Sequence, residues 1–227
     1  MLDKDNLFFG LRESFTAEQE SFVNAIFDTN VKVIVTPSVA GTGKTTLTVG
    51  AAKILQRELV YVFPNIGEDE FGHRPGSLFE KQWEYLGPLF DALDKIGDDP
   101  YKCIWNEDAM KDVGQRKDQM ERLRRGQIWV YPKAHGFLRG RNLEGNKIIF
   151  IDECQNYTKA QLKKIITRVH DDSILVLAGH MGQCDLRDIS KSGFPAYIDF
   201  YKNCEYAKVI ELTKCFRGRI ASDADKV

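Results

Sequence analysis

Several features common in other protein classes are missing from this 227-residue sequence. No stretch approaches 18 consecutive apolar residues, and the first residues lack the basic start and apolar run of a signal peptide. Five cysteines form no Cys-x-x-Cys pair, and four scattered histidines form no His-Glu-x-x-His. The net charge is only −1. These absences disfavour a membrane span, a disulfide framework, a structural zinc site and a globally basic nucleic-acid coat, and we expect a cytoplasmic protein.

Apolar runs typical of buried strands alternate with stretches typical of helices. This alternation predicts an α/β fold, with a mainly parallel sheet and helices on both faces. We expect one domain over residues 1–227, with an N-terminal arm (1–14) and one long insertion at about 64–127. The predicted strands are Val31–Thr36, Leu59–Phe63, Ile128–Tyr131, Lys147–Ile151, Ser173–Ala178 and Lys208–Leu212; the predicted helices are Ala17–Phe27, Lys44–Gln56, Leu78–Lys95, Asp108–Arg124 and Lys159–Val169.

A glycine-rich loop follows the first predicted strand and ends in Gly-Thr-Gly-Lys-Thr. In this strand-loop-helix context the motif is a P-loop, whose backbone N–H groups and helix N-terminus bind phosphate. Lys44 then reaches the β- and γ-phosphates, and the Thr45 hydroxyl binds Mg²⁺. Ser38 stands where the motif usually begins with glycine, and serine tolerates a positive φ less well. The predicted nucleotide-binding residues are Ala40, Gly41, Thr42, Gly43, Lys44, Thr45 and Thr46.

An acidic pair, Asp152 and Glu153, follows the fourth predicted strand. A strand ending in Asp-Glu is typical of a Walker B motif, in which Asp152 holds Mg²⁺ and Glu153 activates water. The chain has no Asn-Lys-x-Asp or Thr-Lys-x-Asp signature of guanine recognition. The sequence therefore predicts a P-loop NTPase of RecA-like fold that uses ATP and Mg²⁺.

The segment Asp152–Thr158 resembles the Asp-Glu-Ala-Gln-Asn-x-Thr motif of the PhoH-like proteins. Other segments that look like that family, in its order, are Phe15–Gln19, Ala40–Thr45, Phe71–Gly76, Pro88–Leu93, Leu138–Leu143, Gln183–Leu186 and Ser192-Gly193. The resemblance covers roughly residues 12–220. It implies a cytoplasmic P-loop ATPase related to superfamily 1 helicases, of a bacterial family associated with phosphate starvation and also common in phages.

The resemblance also implies roles for individual residues. Gln183 is expected to sense the γ-phosphate and Arg217 to contact it. Gln19 resembles an adenine-reading glutamine, although Thr16-x-x-Gln19 is equally a capping box, and both readings stay open. Thr158-x-x-Gln161 is a second capping box. Arg139, Arg141 and Arg168 are candidates to reach a neighbouring subunit's ATP or a nucleic-acid backbone, although each is also explained as a solvated charge. The basic run 116–125 is a candidate to bind a phosphate backbone, although a solvated helix face explains it as well.

Two departures from the family pattern bear on turnover. Ser38 replaces a glycine, and His180 stands where an aspartate near the metal is usual. The helicase-like order of the motifs and the basic loops favour a first hypothesis, an ATP-driven motor acting on RNA or single-stranded nucleic acid. The two departures favour the alternative, an ATP-binding assembly or regulatory module with poor turnover. Because the chain has room for one RecA-like domain, we expect a homo-oligomeric ring, as a hexamer, and no fused ribonuclease domain.

Overall fold

The computed structural model describes residues 1–64, 84–134, 136, 143, 145–218, 220 and 223. Within these ranges, six strands form one sheet in the order β3-β2-β4-β5-β1-β6, and every neighbouring pair is parallel. The strands are β1 (Val33–Pro37), β2 (Leu59–Phe63), β3 (Val130–Ala134), β4 (Ile148–Ile151), β5 (Ile174–Gly179) and β6 (Ala207–Val209). The predicted parallel α/β sheet is confirmed.

Seven α-helices connect these strands in the described part of the chain. They are α1 (Ala17–Phe27), α2 (Lys44–Ile54), α3 (Gly87–Lys95), the single turn α4 (Pro100–Cys103), α5 (Val113–Arg124), α6 (Lys159–Ile166) and α7 (Phe194–Tyr201). Helices α3, α4 and α5 lie between β2 and β3, inside the span predicted to be an insertion. No helix among the described residues is both long enough and apolar enough to cross a membrane.

The central strands are apolar on both faces, and each face supports its own core. In β5, Val176 packs into the cluster that contains residues of α1, α2 and α3, whereas Leu175 and Leu177 pack into the cluster that contains residues of α6 and α7. Successive side chains of a strand point to opposite faces, so an uninterrupted apolar run is the pattern of a sheet covered on both sides. The predicted placement of helices on both faces is thereby confirmed.

Both predicted capping boxes are present. At the start of α1 the Thr16 hydroxyl accepts from Gln19 N (3.2 Å) and the Gln19 side chain accepts from Thr16 N (3.0 Å). Thr158 and Gln161 repeat this arrangement at the start of α6. Each box satisfies two N–H groups that the first helical turn cannot pair, so it fixes where the helix begins.

Several predicted boundaries differ from the structure, and one helix was not predicted. Strand β6 stops at Val209, because the chain beyond it leaves the sheet edge and crosses the loop after β1. Helix α5 begins only at Val113, where the Asp112 carboxylate caps it, and a separate 3-10 turn precedes it. Helix α7 was not predicted from its aromatic sequence, although a proline in its first turn favours a helix start. Residues 78–83 of the predicted helix Leu78–Lys95 lie outside the described residues.

Candidate nucleotide-binding site

The carboxyl ends of β1, β4 and β5 meet at one edge of the sheet, where open α/β sheets bind ligands. Strand β1 leads into the glycine-rich loop, β4 ends at Asp152, and β5 ends at Gly179-His180. Because β5 lies between β1 and β4 in the sheet, the residues after β5 are placed between the loop and the acidic pair. Three segments far apart in sequence therefore converge on one place.

The loop after β1 has the conformation that its glycines permit. Gly41 has φ of 71° and Gly43 has φ of 89°, both in the left-handed region that side-chain-bearing residues rarely adopt. A Cβ added to Gly41 would lie 2.7 Å from Cγ of Arg217, so a larger residue there would displace that side chain. Gly43 is the N-cap of α2, whose first turn carries Lys44 and Thr45. The loop thus ends at a helix N-terminus, as a phosphate-binding loop does.

Ser38 does not have the positive φ that the sequence analysis considered for it. The residue is fully buried, its N–H donates to Gly179 O (3.0 Å), and its hydroxyl lies 2.6 Å from the Thr36 hydroxyl. The same hydroxyl accepts from the backbone N–H of Leu212 (2.7 Å). A glycine offers no such acceptor. The serine therefore ties the segment after β6 to the phosphate loop instead of straining the turn.

The ammonium group of Lys44 lies inside this loop. Its Nζ donates to Ser38 O (3.0 Å) and to Val39 O (2.8 Å), both on the chain just before Gly41. A lysine held by backbone carbonyls at a helix N-terminus is at the position from which P-loop lysines reach phosphate oxygens.

Asp152 is almost completely buried at the end of β4. Its carboxylate accepts from the Tyr61 hydroxyl (2.8 Å), and the Thr45 side chain lies near enough to lower its pKa. Burial raises the pKa of Asp152, whereas the Tyr61 hydrogen bond and the positive charge of Lys44 act against that rise. The two residues predicted to hold the metal, Thr45 and Asp152, line the same cavity.

Glu153 has a left-handed backbone (φ 53°, ψ 43°), which is uncommon for a residue with a side chain. Such conformations persist where the surrounding structure enforces them, often at functional sites. Burial raises the pKa of Glu153, and the neighbouring charge of Asp152 raises it further. The Gln155 side-chain amide donates to the Glu153 carboxylate.

Gln155 is fully buried and connects the acidic pair to the end of β5. Its Nε2 also donates to Gln183 O (3.0 Å), and its Oε1 accepts from His180 N (2.9 Å). One side chain therefore holds the carboxylate of Glu153 and two backbone groups of the β5–α7 connection. Gln155 lies within the motif segment Asp152–Thr158, but no role was predicted for it from the sequence.

His180 lies at the end of β5, beside this network. Its backbone N–H is the group that Gln155 holds, and its ring packs against Gly182. The Nδ1 atom is buried without a hydrogen-bond partner among the described residues. A buried imidazole nitrogen without a partner is an exception to the usual pairing of interior polar groups.

Gln19 connects the N-terminal helix to the phosphate loop. While its Oε1 completes the capping box, its Nε2 donates to Thr42 O (2.9 Å). Both ends of the amide are thus already engaged. The predicted capping box is confirmed. Contact between Gln19 and adenine stays a prediction, and it would require the hydrogen bond from Gln19 Nε2 to Thr42 O to break.

The segment after β6 crosses the loop and delivers two side chains to the site. Phe216 N donates to Gly41 O (2.8 Å), and the aliphatic part of Arg217 covers Gly41. Arg168 instead follows α6 and precedes β5, at the opposite edge of the sheet, where its Nε donates to Lys164 O. It does not reach this chain's own site. Arg139 and Arg141 lie outside the described residues.

A cavity of about 350 Å³ contains most of these groups. Its volume is in the range of ordinary small-molecule sites. The N-terminal segment contributes Leu11 and Phe15 to the lining, and α3 contributes a face that was not predicted from the sequence. The predicted site residues that line the cavity are Gln19, Ala40, Gly41, Gly43, Lys44, Thr45, Thr46, Asp152, Glu153, Gln183 and Arg217. Thr42 is buried beneath the loop.

A parallel sheet with a phosphate-type loop after β1 and a buried acidic pair after β4 defines a P-loop NTPase of RecA-like fold. The chain belongs to the PhoH-like protein family, whose model matches residues 13–226.

Curated relatives agree with this assignment. A PhoH-like protein of Synechocystis is 35% identical over 196 residues, covering 84% of this chain and 53% of the relative. A PhoH-like protein of Bacillus subtilis is 35% identical, covering 76% of this chain and 50% of the relative. A PhoH2 protein of the same species is 25% identical, covering 96% of this chain and 47% of the relative. The chain spans about half the length of the curated relatives it matches.

Solved structures with a similar arrangement include helicases. One is a DUF1998 helicase, MrfA, bound to DNA and AMPPNP, with a TM-score of 0.47 and 12% identity over 92% of this chain and 29% of that chain. Another is Pif1 from Bacteroides with ADP-AlF4, with a TM-score of 0.39 and 17% identity over 90% of this chain and 43% of that chain.

Proposed function

We propose that this protein binds ATP with Mg²⁺ and hydrolyses its β–γ bond. The observation that carries the proposal is the single cavity that brings the loop of Lys44 and Thr45 together with Asp152 and Glu153. A site that only binds nucleotide needs a metal-holding carboxylate, whereas a second carboxylate beside it supplies a base for water.

The residues present fit a magnesium ion. The Thr45 hydroxyl and the Asp152 carboxylate belong to residues that line the same cavity, and both are the hard oxygen ligands that Mg²⁺ prefers. The described residues contain no cluster of three or more His, Cys, Asp or Glu that could hold a metal alone. Such a site needs substrate phosphates and water as further ligands, which is usual for Mg²⁺. When bound, the ion supplies positive charge against the phosphate oxygens.

Four side chains of this protein contact the phosphates or the attacking water. Lys44 exchanges its two carbonyl contacts for β- and γ-phosphate oxygens, and Arg217 reaches the γ-phosphate from above Gly41. Glu153 orients the attacking water and takes its proton. Its raised pKa suits this role, since a base whose pKa lies closer to neutrality takes a proton more effectively. Gln183 follows β5 and contacts the γ-phosphate.

We further propose that ATP turnover is coupled to RNA or single-stranded DNA. Helix α5 carries ion pairs between Arg122 and Asp118 and between Arg125 and Glu121. Three exposed cations on α5 have no ion pair among the described residues: Arg116, Lys117 and Arg124. Unpaired cations on one helix can bind a phosphate backbone, with an affinity that falls as salt rises.

We also propose that the protein forms a homo-oligomeric ring, as a hexamer, in which Arg139, Arg141 or Arg168 of one subunit reaches the ATP or nucleic acid of the next. Mass photometry with and without ATP tests the ring. A monodisperse monomer in the presence of ATP contradicts it.

The nucleic-acid proposal is tested by the ATPase rate with and without single-stranded RNA or DNA. Wild type is compared with a triple variant in which Arg116, Lys117 and Arg124 are changed to Gln. The expected result is stimulation in wild type that the variant loses, with the basal rate unchanged. A wild-type rate that neither RNA nor DNA alters would contradict the coupling.

His180 favours a second candidate function, an ATP-binding assembly or regulatory module with poor turnover. The end of β5 presents an imidazole there, and a neutral or cationic ring cannot share a divalent cation as a carboxylate does. The variant His180→Asp tests this directly. A large gain in ATP turnover favours the module with poor turnover, whereas a wild type already as fast as the variant contradicts it.

A further inference from the structure

Helix α3 presents a charged face to the nucleotide cavity. Pro88, Asp91 and Lys95, at positions i, i+3 and i+7, are exposed and line the cavity. The opposite face, with Leu89 and Leu93, is fully buried and packs against α2. The burial of the apolar face fixes the rotation of the helix, so the charged face is held over the site.

The position of this face relative to the phosphate loop suggests which part of a nucleotide it meets. If the phosphates occupy the loop, as proposed above, the ribose and base must extend over Thr46 and Leu47 of α2, which line the cavity. The wall with Leu11 and Phe15 is apolar and suits the face of a base. The α3 wall is charged and suits the sugar.

Asp91 has neither a hydrogen bond nor an ion pair among the described residues. An ionised carboxylate only accepts hydrogen bonds, so Asp91 can accept them from donor groups of a ligand bound in this cavity. The 2′- and 3′-hydroxyls of ribose are such donors, and carboxylates bind ribose hydroxyls in other nucleotide sites. Lys95, one turn further along the same face, offsets the charge.

We propose that Asp91 accepts a hydrogen bond from the ribose 2′-hydroxyl, so that this protein selects ribonucleotides over 2′-deoxyribonucleotides. The inference rests on the proposed nucleotide binding and adds a contact that distinguishes one sugar from the other. A hydrogen bond to a charged group, when lost, weakens binding on the order of tenfold or more.

The test compares the dissociation constants of ATP and 2′-deoxy-ATP, each with Mg²⁺, by isothermal titration calorimetry on the full chain. The variants are Asp91→Ala and the matched control Asp94→Ala, which changes an exposed aspartate of α3 that does not line the cavity. We expect wild type and the control to bind ATP about tenfold more tightly than 2′-deoxy-ATP. Asp91→Ala should weaken ATP to the level of 2′-deoxy-ATP and leave the latter within about twofold.

Three results would overturn the ribose contact while leaving nucleotide binding intact. In the first, wild type binds the two nucleotides with equal affinity. In the second, Asp91→Ala weakens the binding of both nucleotides equally. In the third, Asp91→Ala tightens the binding of both, because charge repulsion is lost. A wild type that binds neither nucleotide would instead overturn the proposed function, and the ribose contact with it. Circular dichroism and melting of both alanine variants establish that each is folded.

Discussion

Removing the Ser38 hydroxyl should destabilise the protein more than its small size suggests. In Ser38→Ala, the buried N–H of Leu212 loses its acceptor and the buried Thr36 hydroxyl loses its 2.6 Å partner. Each buried polar group left unpaired costs about 1–3 kcal/mol, so the two together should cost about 3 kcal/mol. For a chain of this size, that corresponds to a fall of roughly 6–12 °C in Tm.

The assay is urea and thermal unfolding of the nucleotide-free chain, followed by circular dichroism. Ser21→Ala is the matched control, since Ser21 is exposed on α1, and it should unfold within about 0.5 kcal/mol of wild type. Faster hydrogen exchange at the Leu212 amide should accompany the loss in Ser38→Ala. A variant as stable as wild type to within about 0.5 kcal/mol would refute the reasoning, because it would mean that neither group had depended on the hydroxyl.

The remaining predictions concern the acidic pair and a helix start. Gln155→Ala should slow ATP turnover about tenfold, because Glu153 loses the amide that holds its carboxylate. ATP affinity measured by calorimetry should stay within about threefold of wild type. Equal losses of turnover and affinity would contradict a positioning role. Asp152→Asn removes a buried charge, so it should raise the free energy of unfolding of the nucleotide-free protein by about 1 kcal/mol, measured in urea. Mg²⁺-dependent turnover should be lost in the same variant. A variant less stable than wild type would contradict this reasoning. Thr158→Ala should cost about 1 kcal/mol in the same assay through the lost cap of α6, and an unchanged midpoint would show that the cap is dispensable.

The parts of the site that depend on local sequence could be predicted. The phosphate loop was located from Gly41, Gly43 and Lys44 because its backbone geometry requires those residue types at that spacing. The strands were recognisable because a sheet covered on both faces needs uninterrupted apolar runs. Both capping boxes could be read directly, because their hydrogen bonds join residues only three apart.

The rest depends on contacts between residues far apart in the chain. The Ser38 hydroxyl accepts a hydrogen bond from Leu212, which is 174 residues away, so no local sequence pattern predicts this contact. Gln155 holds backbone groups of His180 and Gln183 only because β5 lies beside β4. The cavity face of α3 is set by how α2 packs against it. In each case register and packing, which sequence periodicity does not encode, decide the function of the side chain.

The central claim is that one site both binds ATP and hydrolyses it through Glu153. The most direct test measures ATP affinity and phosphate release, with Mg²⁺, for wild type, Lys44→Ala and Glu153→Gln. We expect Glu153→Gln to bind ATP within about threefold of wild type but to release phosphate about a hundredfold more slowly, whereas Lys44→Ala should lose binding. Phosphate release by Glu153→Gln at the wild-type rate, or unchanged ATP affinity in Lys44→Ala, would contradict it.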